Sequence, residues 1–191
     1  MIPNNRAFNG RDTVEMDGKV YYRSYRIDKQ GKFRVKIHIV SINSTYNQGI
    51  AFRFSTVPKF KGTLSLNGHR FVPEKKQHQN YIIPVAIPEH DNIVMDLDIV
   101  DGHLILANAS DYLDDYPDLI ERISKQTGRT REQFRGNSYA SGFTAAHLYG
   151  NAFWIETLSD NCYRFHCNDH RMDEDFDDLV FDIELRDCSE V

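Results

Sequence analysis

Phe33-Arg34-Val35-Lys36-Ile37-His38-Ile39 alternates apolar and polar side chains without a break. Successive side chains of an extended strand point to opposite sides, so this period of two marks a strand with one buried face. The period recurs further along the chain. Ile50, Phe52 and Phe54 alternate with Ala51 and Arg53, and Ile93, Met95, Leu97 and Ile99 alternate with Asp96 and Asp98. Tyr81, Ile83, Val85 and Ile87 form another series, interrupted by Pro84 and closed by Pro88. Proline cannot donate to a ladder, so that run is expected at a sheet edge. Asp17-Gly18, Asn67-Gly68 and Asp101-Gly102 carry two-residue turn chemistry between β-prone segments, which predicts hairpins. Further on, Ala152 to Leu158, the turn Ser159-Asp160-Asn161 and Cys162 to Cys167 continue the pattern, and Leu179, Phe181, Ile183 and Leu185 share one phase of a last strand. By these phases Ile37, Leu66 and Phe181 belong in the core.

One stretch changes period. After Asp115, Pro117 sits near the start of a segment with Leu119, Ile120 and Ile123 on one face and Gly128 as a stop, the pattern of a short helix. Thr130-Arg131-Glu132-Gln133 then has capping-box spacing ahead of Gly136. The expected fold class is mainly β: a single β-sandwich domain over residues 1–191, of jelly-roll or galactose-binding-like type, with a short helical insertion at about 115–135. A barrel satisfies the same alternation.

With 191 residues, 40% of them hydrophobic, the chain can fill one core, and disorder describes it poorly. A formal charge of −5 argues against a surface built for phosphate backbones, so nucleic acid is an unlikely partner. No apolar run reaches the roughly 18 residues of a membrane span, and Met1 to Arg6 lack a signal-peptide core. As written the chain is expected in the cytoplasm, with export left open. Cys162, Cys167 and Cys188 form no C-x-x-C pair, and alternation sends Cys162 and Cys167 to opposite strand faces. Reduced thiols are expected.

Six carboxylates, Asp169, Asp173, Glu174, Asp175, Asp177 and Asp178, crowd into residues 168–178, just before Leu179-Val180-Phe181. Such oxygens repel one another unless they face water or a cation, and they are the hard donors calcium takes. The segment Asp173-Glu174-Asp175-Phe176-Asp177-Asp178-Leu179-Val180-Phe181 resembles the Asp-x-Asp-aromatic-Asn/Asp-Asp-x-Val-Phe segment near the C-terminal strand of certain bacterial calcium-associated β-sandwich domains. The resemblance spans about nine residues of 191. It implies metal ligands at Asp173, Asp175, Asp177 and Asp178 and Ca2+ as the cofactor. Asp173, Asp175, Asp177 and Glu184 also fall at the first, third, fifth and twelfth places of an EF-hand loop, but Asp178 stands where its sharp bend needs glycine. A solvated hairpin end that keeps a sheet edge from pairing explains the same charges without any cation.

The only tryptophan, Trp154, closes an aromatic and small-residue stretch that begins at Tyr139. Its face suits a sugar ring or base, and His147 and Asn151 could fix the ligand's orientation. Core packing competes with this reading. Because Phe153 and Ile155 have the opposite phase, one of the two groups should face away from the core. His166, Cys167, Asp169 and His170 have donors suited to zinc but no recognised spacing. Arg122, Lys125, Arg129, Arg131 and Arg135 could meet phosphate or an acidic surface, or simply be a solvated helix face. Cys162 or Cys188 as a nucleophile would need His147 or His166 brought to it by the fold. Asp114 and Asp115 are explained by helix capping. The expected function is a non-enzymatic binding module with a calcium-type loop, recognising carbohydrate or a protein partner. The alternatives are a glycan-directed hydrolase using two loop carboxylates, and a structural interaction subunit.

Overall fold

The computed structural model describes residues 12–71, 81–85, 93–111, 121, 125, 143–145, 152–169 and 175–188, which are mainly β and form two antiparallel sheets. The larger sheet runs, in spatial order, through β1 (Thr13–Met16), β2 (Lys19–Tyr22), β12 (Phe153–Ser159), β13 (Cys162–Cys167), β14 (Leu179–Asp187), β4 (Gly31–Ile42), β9 (Ile93–Asp101), β6 (Lys61–Leu66) and β7 (His69–Phe71). The smaller runs through β11 (Phe143–Ala145), β10 (Leu104–Asp111), β5 (Asn47–Phe54) and β8 (Tyr81–Val85), with β3 (Tyr25–Ile27) pairing the first residues of β10.

Phe33 to Ile39 form the middle of β4, the longest strand among the described residues, held between β14 and β9. Its apolar phase, Phe33, Val35, Ile37 and Ile39, is buried. The same phases of β9 (Ile93, Met95, Leu97, Ile99), β14 (Leu179, Phe181, Ile183) and β5 (Ile50, Phe52, Phe54) join it in one apolar cluster that also takes Leu104 and Leu106 from β10. Both sheets therefore feed one core, and burying these faces against each other is the main force holding the described residues together. The opposite phase of the larger sheet is charged and laced by pairs across neighbouring strands. Arg34 grips Asp96 at 2.6 and 3.2 Å, and Arg164 grips Asp182 at 2.7 and 3.0 Å.

Two of the three expected hairpins form. Asp17-Gly18 joins β1 to β2, and Asn67-Gly68 joins β6 to β7, all four residues at positive φ as a type I′ turn requires. Asp101-Gly102 does something else: β9 lies in the larger sheet and β10 in the smaller, so this turn carries the chain from one sheet to the other. Gly102 has φ +80° and presses against Ser55 and Phe60, where an added Cβ would stand 2.8 Å from the Phe60 Cα. Turn chemistry in sequence specifies a local reversal, not whether the next strand pairs with the last.

β8 pairs only β5 among the described residues, so the strand containing Pro84 lies at an edge, as its missing donor requires. Leu66 is half-buried, because it lies toward the narrow margin of the sheet beside the three-residue β7; Leu64 is the fully buried side chain of β6. Of the expected helical insertion only Glu121 and Lys125 are described, joined by an ion pair of 2.6 Å, and the insertion as an element lies outside the described residues. No helix among the described residues is long and apolar enough to cross a membrane.

Candidate functional site

β13 and β14 pair antiparallel from Cys162 opposite Glu184 to Cys167 opposite Leu179, so the acidic segment is the connection between two neighbouring strands. Strand on both sides, with Glu184 inside β14 and its carboxylate on Arg186, rules out the helix-flanked EF-hand arrangement.

The described carboxylates of this connection divide by depth. Asp175 is exposed and Asp177 half-buried, whereas Asp178 is 5% exposed and Asp169 fully enclosed. The Asp169 backbone N–H donates to Asp178 Oδ2 at 2.7 Å, and the Ser44 hydroxyl donates to Asp169 Oδ2. Asn43 donates from Nδ2 to Asp177 Oδ2 at 3.1 Å, and its backbone N–H donates to the Asp178 carbonyl, also at 3.1 Å. The segment between β4 and β5 thus ties down the segment between β13 and β14. A freely solvated hairpin end does not describe this, since two of its acids turn inward and are held there.

Behind these acids the inner faces of β5 and β10 switch from apolar to polar. Gln48, Asn108 and Ser110 continue the phases of Ile50 and Leu106, and all three are buried. Asn108 Nδ2 donates to the Asn168 carbonyl at 2.8 Å, and Gln48 Nε2 donates to the Tyr46 carbonyl at 3.3 Å. Those acceptors fix which way each amide points. The amide oxygens, Asn108 Oδ1 and Gln48 Oε1, are buried without a hydrogen-bond partner. Buried carboxylates together with donor-free amide oxygens form a set of hard acceptors, which fits a calcium-type ion better than zinc. Among the described residues no three His, Cys, Asp or Glu side chains gather in a manner that could hold a metal, so carboxylates alone do not make the site there. Asp173 and Glu174 lie outside the described residues.

On the outer face of the sheet the connection has a second anchor. Phe176, at φ 55°, is buried against Tyr21 at 5.2 Å between ring centroids, in a small cluster with Ala152 and Trp154. A bulky residue in the left-handed region is uncommon and requires packing to hold it. Trp154 faces this outer side while Phe153 is in the core, as their opposite phases require. The indole lies flat on His166, 3.8 Å away and 2° from parallel, and Lys19 Nζ stands 4.4 Å from its centroid. His166 in turn meets Glu156 at 3.3 Å. A sugar ring stacking here would displace the exposed Lys19, whose side chain contributes only a weak cation–π contact. His147 and Asn151, the expected polar companions of Trp154, lie outside the described residues.

The zinc grouping is not assembled among the described residues: His166 faces out onto Trp154, Cys167 is in the core, and Asp169 is held by Ser44, while His170 lies outside them. All three cysteines are free thiols. Burial pushes the Cys167 thiol well above its ordinary range, with Asp178 adding to the effect, and burial followed by Asp182 and Glu184 raises that of Cys162. Neither has the depressed pKa of a nucleophile. A disulfide reagent at pH about 8 should modify exposed Cys188 first and Cys162 slowly, and should reach Cys167 only after denaturation. Mass spectrometry of timed aliquots checks the order; early labelling of Cys167 would place it outside the core. Of the basic group expected between 122 and 135 only Lys125 is described, and it pairs with Glu121.

The signal that sequence reading missed is the polar end of the inner strand phases. Gln48 breaks the Ile50–Phe54 series and Asn108 follows Leu106 in phase, but only the tertiary structure shows that both are buried diagonal neighbours and that Asn108 is bonded to Asn168, next to Asp169. No protein family, curated protein or solved structure matches the chain.

Proposed function

We propose that this chain is a non-enzymatic binding module. In this reading the two sheets are the halves of a β-sandwich of jelly-roll or galactose-binding-like type, with the helical insertion near 115–135. The connection between β13 and β14 holds a divalent cation of the calcium type, where the resemblance implied Asp173, Asp175, Asp177 and Asp178. Carbohydrate or a protein partner is recognised beside it, at the outer face carrying Trp154. The observation that carries the reading is the double anchoring of the acidic connection: Asp178 is bound inside while Phe176 packs outside, in the same cluster as Trp154. A cation that orders the connection would thereby also order the aromatic face. No observation favours the hydrolase, whose paired acids would need to face each other across a cleft.

Trp154 is the sole tryptophan, so its emission reports on this face directly. Titration with a panel of neutral and uronic-acid oligosaccharides, with calcium and with chelator, should give a saturable emission change that is larger with calcium. Lys19→Ala should strengthen it by uncovering the ring. No change with any sugar in calcium would remove carbohydrate and leave the protein-partner form of the proposal.

A further inference from the structure

Resting on the cation reading above, we propose that the ion is held inside the protein, by the amide oxygens of Asn108 and Gln48 together with the carboxylates of Asp169 and Asp178, and not by the outer acids Asp175 and Asp177. The two amides set the site. Each is at most 1% exposed, each spends its N–H on a backbone carbonyl, and each keeps an oxygen with no donor. They are diagonal neighbours on the inner faces of β5 and β10, since Gln48 opposes Ser110 and Asn108 opposes Ile50 in the register. The Asn108 amide abuts Asn168, whose next residue is Asp169, and the Asp169 backbone is bonded to the Asp178 side chain. Two buried amide oxygens on adjacent strands and two buried carboxylates on one connection thus belong to a single chain of contacts.

Every group in that set is an acceptor. An anion or a neutral acceptor would be repelled, and a soft metal would want thiolate or imidazole. Calcium takes carboxylate and amide oxygens together, in numbers and geometries looser than magnesium accepts. Asp177, by contrast, is held on the outside by Asn43, and Asp175 is exposed. A bridging water would also satisfy an amide oxygen, and it is the competing result of the test.

Chelator-treated protein of all 191 residues is titrated with terbium, and the luminescence decay in H2O and D2O counts the waters on the ion. An interior site should leave about two waters or fewer of the ion's shell, and three or more would overturn the inference. Calcium affinity is then measured for Asn108→Leu, Gln48→Leu and the Asp175→Asn/Asp177→Asn pair, each checked for folding by circular dichroism in chelator. Each leucine variant should bind calcium at least about tenfold more weakly, since even supporting groups around a metal are worth that much. The outer pair should remain within about threefold of the parent, as expected for carboxylates that do not touch the ion. Loss of binding in the outer pair with both leucine variants unaffected would overturn the interior site and leave the cation reading standing. A parent protein that binds neither terbium nor calcium at millimolar concentration would overturn both. Should a leucine variant fail to fold, the water count on the parent protein still decides.

Discussion

Phe181→Ala should lower the unfolding free energy by about 3–5 kcal/mol, the range found when a large aromatic is removed from a packed core. Phe181 is 1% exposed and stacks on Phe165 with centroids 4.8 Å apart and planes 7° from parallel. It sits where β14 pairs with β13 on one side and β4 on the other, opposite Phe165 and Ile39, so its ring touches the centre of the larger sheet's inner face. The neighbours are strand residues fixed by ladders on both sides, and they cannot collapse into the space. Urea denaturation measures the loss. Ile37→Ala, on the next strand, should cost about 2–5 kcal/mol, and half-buried Leu66→Ala distinctly less. Val40→Ala, on the outer phase of β4 and 40% exposed, should stay within about 0.5 kcal/mol. A Phe181→Ala loss no larger than that of Val40→Ala would mean that the inner and outer phases have been exchanged.

The second large effect is on stability in calcium. If the β13–β14 connection binds the ion in the folded state only, stability rises by the binding linkage, about 2.7 kcal/mol at a hundredfold excess over the dissociation constant. Magnesium should raise it less, because its small octahedral shell dehydrates reluctantly and fits fewer protein oxygens. Scanning calorimetry with calcium, magnesium and chelator reads both effects. An unchanged melting temperature in millimolar calcium, with no heat of binding, would sink the cation proposal. The acids would then serve the fold, through contacts such as those with Ser44, Asn43 and the Asp169 backbone.

The alternation of Phe33 to Ile39, and of the strands that echo it, was enough to establish strand content, which strand faces turn to the core, and the edge position of the Pro84 strand, because each depends only on local geometry: a period of two, and one missing N–H. The opposite faces of Cys162 and Cys167, and of Phe153 and Trp154, followed from the same rule. What depends on distant partners could be decided only by the tertiary structure. Asp101-Gly102 has the composition of a hairpin turn, yet it crosses between sheets, because strand pairing is settled by long-range packing of the inner faces. The six acids read in sequence as one charged group. The fold separates those described, burying Asp169 on the Ser44 hydroxyl and the Asp178 side chain on the Asp169 backbone N–H, with Asp177 against Asn43 and Asp175 at the exposed surface. Gln48 and Asn108, some 60 residues apart, look like isolated polar breaks in apolar series. Only the antiparallel register of β5 with β10 makes them neighbours, and only the tertiary structure bonds the Asn108 amide to the Asn168 carbonyl, next to Asp169.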